Sequence, residues 1–199
     1  MTSIITGDII NSRKANNQEW LDDLKEIFNN LYAAEIYRGD SFQVEIPTVK
    51  EALFTAIKIK SYIKKHKEID VRMAIGIGKK GFSADTVGES NGEAFVNSGK
   101  AFDNLKKQNL LIKSPWKEFD EEINIAVGLA LLVMDNWTPN SAEFVKASLN
   151  NLTATQKEVA ELLNISQSSA SERRKRAGLE EILKLEKRYR KLITQKLTT

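Results

Sequence analysis

Residues 35–46, EIYRGDSFQVEI, carry the reading that decides the fold. Phe42, Val44 and Ile46 alternate with Gln43 and Glu45, the period-2 pattern of a half-buried strand, and Gly39-Asp40 stands where a tight turn joins it to the preceding apolar pair. Pro47 ends the run. Upstream, SIITGDII at 3–10 is β-branched and apolar except at Gly7-Asp8, which predicts a buried strand interrupted near its end. Between the two, Trp20, Leu24, Ile27 and Leu31 recur at helical spacing, with Asn16 or Asn17 available as a cap. Downstream, Ala52, Leu53, Ala56, Ile57 and Ile63 against many lysines predict a second amphipathic helix over 48–65, and VRMAIGIG at 71–78 predicts a central strand. The order is β-α-β-β-α-β, the split unit of ferredoxin-like folds.

A polar, glycine-rich connector follows at 79–92, in which Asn91-Gly92 reads as a turn, then a helix in GEAFVNSGKAFDNLKK and a short strand in NLLIK at 109–113. Pro115 breaks this pattern, and from about 118 the period is helical everywhere. The expectation is an α+β protein: a ferredoxin-like domain over 1–115 and an all-helical domain over 116–199. Gly76 and Gly78 are read as points of close packing rather than a phosphate cradle.

Composition narrows the chemistry. With 199 residues, 41% hydrophobic and 29% charged, the chain is ordinary for a soluble globular protein. The longest apolar stretch, INIAVGLALLVM at 123–134, falls short of the roughly 20 residues a bilayer span needs, and no cationic-then-apolar leader is visible. The expected location is the cytoplasm, with no membrane partner. Zero cysteines exclude disulfides, thiolate zinc sites and a cysteine nucleophile. The single histidine, His66 in KKHKE, reads as an exposed helix-end residue rather than a catalytic one. Any metal here is a hard cation on carboxylates, magnesium, manganese or calcium before zinc. From Trp137 onward twelve Lys/Arg face seven Asp/Glu, a net +5 that leaves −2 for the rest of the +3 chain.

The basic excess centres on TQKEVAELLNISQSSASERRKRAGL, residues 155–179, which has the layout of a helix-turn-helix at about 155–178. Val159 and Leu163 point inward from a first helix, Ala160 lets a second one cross closely, Asn164 takes the turn, and Ile165 plugs the angle. Ser166 caps the second helix. Its Gln167, Ser168, Ser169 and Ser171 are short polar groups suited to base edges or phosphates, and Arg173, Arg174, Lys175 and Arg176 form a cluster suited to the phosphate backbone. The string resembles bacterial regulators whose recognition helix carries IS-x-S-x-x-S-x-x-x-x-R. One departure is Arg174, which shares the inward face with Ala170 and Ala177 and must snorkel along its stem. The bland reading is a helical hairpin with a solvated basic face. Lys184, Lys187, Arg188, Arg190 and Lys191 extend a phosphate-binding surface or serve as solubilising charge.

Three strings in the N-terminal half, TGDIINSRK, RGDSFQ and VRMAIGIG with the later NGEAFVNSGKAFD, together resemble the SatD family of bacterial proteins. More distantly they resemble the catalytic domains of class III nucleotide cyclases and GGDEF-type cyclases. The SatD resemblance covers nearly the whole chain. The cyclase resemblance implies that Asp8, Ile9 through its backbone, and Asp40 hold Mg²⁺ or Mn²⁺ on a nucleoside triphosphate, with Arg13, Lys14 and Arg38 as phosphate contacts or carboxylate partners. It also aligns Asn97 with a transition-state asparagine. Here the pattern fails, because Ala101 stands where an arginine belongs, with Lys100 one position early, and Ser41 where GGDEF enzymes need an acid. No purine-selecting pair is visible, so turnover as a cyclase is not expected. The bland alternatives are a turn residue at Asp40 and an Asp8–Arg72 ion pair.

Three functions therefore stand open. The leading one is a DNA-binding regulator, homodimeric as paired half-sites require, whose N-terminal domain senses a ligand or dimerises. The others are a metal-dependent protein acting on or binding nucleotides through Asp8 and Asp40, and a helical protein-interaction module.

Overall fold

Strand β1 (Thr2–Ile10) is the middle strand of a five-stranded sheet, and both of its faces are covered. The computed structural model describes residues 1–14, 17–29 and 33–198. In it β1 pairs antiparallel with β3 (Ser41–Ile46) on one side and β4 (Asp70–Gly78) on the other. Strand β2 (Ala33–Tyr37) lies outside β3, and β7 (Leu110–Lys113) runs parallel to β4, so the order is β2-β3-β1-β4-β7. A separate two-stranded ribbon joins β5 (Lys80–Phe82) to β6 (Asn91–Gly92), so Asn91-Gly92 is a strand pair and not the turn the sequence suggests. Helices α1 (Asn17–Phe28), α2 (Ala52–Lys64) and α3 (Glu93–Asp103) alternate with the strands. Five more follow: α4 (Lys117–Met134), α5 (Pro139–Asn150), α6 (Gln156–Leu162), α7 (Gln167–Arg176) and α8 (Leu179–Thr198).

The period-2 reading of 42–46 holds on the core side, where Phe42, Val44 and Ile46 are buried. The other side is also covered: Glu45 is buried, accepting from Thr2 Oγ1 at 3.0 Å and pairing with Lys80 Nζ at 2.7 Å. The turn runs through Arg38 and Gly39 at φ +54° and +90°, the left-handed region that glycine enters without steric cost. Trp20, Leu24 and Ile27 are buried on α1, which begins at Asn17; Asn16 and Leu31 lie outside the described residues. Helix α3 presses on β4 so closely that a Cβ on Gly76 would sit 2.1 Å from Ala94 O and Ser98 N, so this glycine is a packing contact. At the sheet edge the Asn124 amide of α4 imitates a strand, accepting from Ile112 N at 2.8 Å and donating to Ile112 O at 2.7 Å.

Helix α2 corrects the amphipathic reading. Its buried residues run all round the helix, from Ala52, Leu53 and Ala56 to Lys60 and Tyr62. One side lies on β1 and β4 and the other against α5 and α8, so Lys60 and Lys64 meet protein rather than water. Lys60, 1% exposed, places Nζ 2.7 Å from Asp70 Oδ1 at the start of β4 and 2.7 Å from Asp135 Oδ1 just past α4. Lys64 adds a bond to Asp135 O at 2.8 Å. The hydrophobic core is continuous from the sheet through α2 into α4, α5, α7 and α8.

His66 is likewise not the exposed residue its basic surroundings suggest. Its side chain is 11% exposed, with Nε2 2.5 Å from Asp23 Oδ2 of α1. Lys65 and Lys146 of α5 reach the same carboxylate at 2.8 and 3.2 Å. Burial works to raise the Asp23 carboxyl, but hydrogen bonds from His66 and Lys65 and the charges of Lys146 and Lys65 outweigh it and bring it from 3.8 to about 2. Tyr62, beneath Lys146 at 3.9 Å from its ring centre, is pushed up to about 12, first by burial.

Breaking a buried ion pair from one side costs about 3–5 kcal/mol, so Lys60→Met is expected to lower the urea unfolding free energy by that much. Adding Asp70→Asn and Asp135→Asn should return part of it. The depressed Asp23 pKa contributes stability that is complete above its unfolded value of 3.8 and disappears as pH falls through about 2. Thermal melts of Asp23→Asn against pH should show a flatter loss across that window than the parent.

Candidate functional site

At the C-terminal end of β1, Asp8 stands opposite Ser41 of β3 and Arg72 of β4. A carboxylate in so apolar a strand needs a partner, and Arg72 supplies it with Nε and Nη2 each 2.7 Å from one Asp8 oxygen. The guanidinium also lies 5.2 Å from the centre of the Phe102 ring, and the bond to Asp8 holds its pKa above the ordinary arginine value. Asp40 comes to the same end of the sheet by a different route. Its carbonyl accepts the Ile9 amide at 3.0 Å, which ties the hairpin tip to β1, and its carboxylate accepts from Ser12 Oγ at 2.8 Å.

Beside Asp40 opens a cavity of about 340 Å³ lined by Ser12, Arg13, Trp20, Leu21, Arg38 and Gly39 together with Asp40 itself. Arg13 and Arg38 are exposed, and the buried Trp20 Nε1 has no hydrogen-bond partner among the described residues. The donors here are mostly cationic or N–H, with a single carboxylate, a set that suits an anionic ligand. A divalent cation fits only as the companion of such a ligand, since Mg²⁺ takes one or two carboxylates plus phosphate oxygens. Among the described residues no group of three or more His, Cys, Asp or Glu is placed to hold a metal.

The structure thus joins Asp40, Arg13 and Arg38 and leaves the other predicted contacts apart. Asp8 and Lys14 do not line the cavity. Asn97 donates to Ile77 O at 2.8 Å, and Ile77 pairs with Ser3, five residues back along β1 from Asp8, or roughly 17 Å. Lys100 faces water on α3. Ser12, Trp20 and Leu21 are lining residues that sequence reasoning did not place in the site. Trp20 has the spacing of a core residue, and nothing in its neighbours shows that its indole nitrogen is left without an acceptor.

The second candidate surface is built by α6 and α7. Thr155 and Glu158 form a reciprocal capping box that starts α6, and Asn164 takes φ +51° in the turn, where Ile165 N donates to Ala160 O at 3.0 Å. Ser166 caps α7 by accepting from Ser169 N at 3.2 Å. Ala170 and Ala177 are fully buried, so the helix is anchored on one side and presents Gln167, Ser168 and Ser171 to water. The cation cluster is divided by the packing. Arg173 pairs with Glu143 of α5 at 3.0 Å, and Arg174 is half-buried, lining a small void with Phe144, Leu149 and Val159. Lys175 is exposed, and Arg176 makes a surface pair with Glu172 at 3.3 Å. On α8, Lys184 pairs with Glu180 and Glu181, Arg188 with Glu122 and Arg190 with Glu186.

A family model, that of the SatD family, matches residues 2–193. The chain belongs to the SatD family. No curated protein and no solved structure matches it. The matched residues include those around Asp40 and those of α6 and α7.

The Arg72 side chain is 48% exposed, which places its pair with Asp8 among solvent-screened ones worth at most about 1 kcal/mol. Arg72→Ala is therefore expected to move the urea midpoint only slightly. A loss of several kcal/mol would show that the Arg72 stem on Phe102 carries packing instead.

Proposed function

We propose that this SatD-family chain is a cytoplasmic, ligand-responsive regulator that binds DNA through α6 and α7 as a helix-turn-helix. The observation that carries the reading is α7 itself: a capped helix anchored through Ala170 and Ala177, with Gln167, Ser168 and Ser171 turned outward at its N-terminal end. Short polar groups on the first turns of an anchored second helix are what major-groove readout uses. Phosphate contact falls to Lys175 and Arg176, because Arg173 and Arg174 are committed inward. The N-terminal half is read as a ferredoxin-like, nucleotide-cyclase-related domain, which the antiparallel order β2-β3-β1-β4 supports.

The cavity at Asp40 favours a second, compatible reading: the N-terminal half binds a phosphate-bearing small molecule, with Arg13 and Arg38 on the phosphates and Asp40 sharing a Mg²⁺ or Mn²⁺ with them. Binding without turnover is the form proposed, given Ser41 and Ala101 at positions where cyclases carry working groups.

Fluorescence anisotropy of the full chain on a library of random duplexes, at several salt concentrations, tests the first reading. Lys175→Ala and Arg176→Ala should each reduce the salt slope by about 1, and Gln167→Ala should cost about 1–3 kcal/mol at one base position. A folded protein that binds no duplex at low salt would overturn it. For the second, calorimetry with ATP and GTP plus Mg²⁺ or Mn²⁺ should show binding that Arg13→Ala with Arg38→Ala removes and Asp8→Asn leaves nearly unchanged. No heat with either nucleotide, or heat unaffected by the arginine changes, sinks it.

A further inference from the structure

Helix α4 is apolar on two sides, and only one of them faces the core. Ile123, Val127, Leu131 and Met134 are buried, while Ile125, Leu129 and Leu132 stand 69%, 64% and 69% exposed, with Val133 at 38% beside them. These outward residues fall at helical spacing and form one stripe along the second half of the helix. A helix apolar all round is ordinarily buried all round. The stripe borders a groove of about 400 Å³ between α4 and α8, lined by Ala126, Leu129, Ala130, Val133, Ile182 and Leu185 among others. Ala126 and Ala130 keep its floor low enough to receive side chains from a facing helix.

We propose that this face is the interface of a homodimer, two copies of α4 crossing antiparallel at Leu129. The pattern is its own complement. Ile125 lies four residues before Leu129 and Val133 four after, so a two-fold axis through Leu129 sets Ile125 of one copy on Val133 of the other and drops each stripe beside the other's groove. Charge selects the same arrangement. Glu118, Glu121 and Glu122 are exposed on the first turns of α4, and its last turn carries no charge before Asp135. Antiparallel crossing keeps the two acidic ends apart, whereas a parallel pair would stack them. An anionic lipid surface or nucleic acid is disfavoured as occupant because the cations beside the groove are already paired, Lys117 with Glu121, Lys184 with Glu180 and Glu181, and Arg188 with Glu122, while Glu181 itself lines the groove. With the axis at Leu129, residues 124–134 of the two α4 helices overlap, about 16 Å of helix, and the groove against α8 widens the face. The orientation of α4 is fixed from behind by Asn124 and Asp120, which bond Ile112 and Ser114 at the sheet edge. The proposal stands apart from DNA or nucleotide binding.

The absence of cysteine makes the test direct. Sedimentation of the full chain should show a dimer, and Leu129→Glu, at an exposed position, should give a folded monomer whose thermal midpoint no longer rises with protein concentration as the parent's does. Val96→Glu on α3, also exposed at 53%, should leave the dimer intact. Leu129→Cys should couple to itself through a short bis-maleimide. Ile125→Cys should couple poorly to itself but efficiently when mixed with Val133→Cys. A monomer at high concentration, whether or not it binds lipid vesicles or another protein through this face, overturns the proposal. So does a dimer that survives Leu129→Glu.

Discussion

The ammonium of Lys60 is the point on which the two halves of the molecule meet. It sits in a helix buried on every side, 1% exposed, and its two carboxylate partners come from β4 and from the end of α4. An ion so placed has lost its water and must recover the cost from geometry that only the assembled protein provides. The arrangement therefore exists only when sheet, α2 and the helical layer are all present together. A second polar cluster, Asp23 with His66, Lys65 and Lys146, repeats the logic between α1, α2 and α5.

With α2 held between layers, the surfaces follow. Helix α5 is set against α2, and α7 is set against α5, partly by the Arg173–Glu143 pair. The outward face of α7 and the outward stripe of α4 are among the surfaces of the helical half that this packing leaves exposed. At the opposite end of the chain, the tie from Ile9 N to Asp40 O closes the hairpin tip over β1 and leaves the arginine-lined cavity beside it. Each candidate site is thus what remains at the margin of a core that runs through the whole protein.

Much of this was legible in residue order. The alternation at 42–46, the helical spacing of Trp20, Leu24 and Ile27, the Asn164 turn and the Ser166 cap are local patterns, and local patterns survive folding because they record which side of an element is apolar. What misled were charges. Glu45, Lys60, His66 and Arg173 look like solvated residues in the linear chain, and in each case a partner more than ten residues away, Lys80, Asp135, Asp23 and Glu143 respectively, draws the side chain inward. The basic run Arg173–Arg176 reads as one phosphate-binding cluster but is two inward residues and two outward ones, a division set by where α5 lies.

Taken by itself, the sequence determined the strands and helices other than the β5–β6 ribbon, the α6–α7 pair and the family resemblance, all of which depend on short-range patterning of apolar and turn residues. The tertiary structure alone decided that Asp8 belongs to Arg72 while Asp40 belongs to a cavity with Arg13 and Arg38, that Asn97 lies at the far end of the sheet, and that α2 is enclosed. Those outcomes depend on strand register and layer packing, which bring together residues distant in the chain; the sequence offered Arg72 as one partner for Asp8 among several readings but could not choose between them.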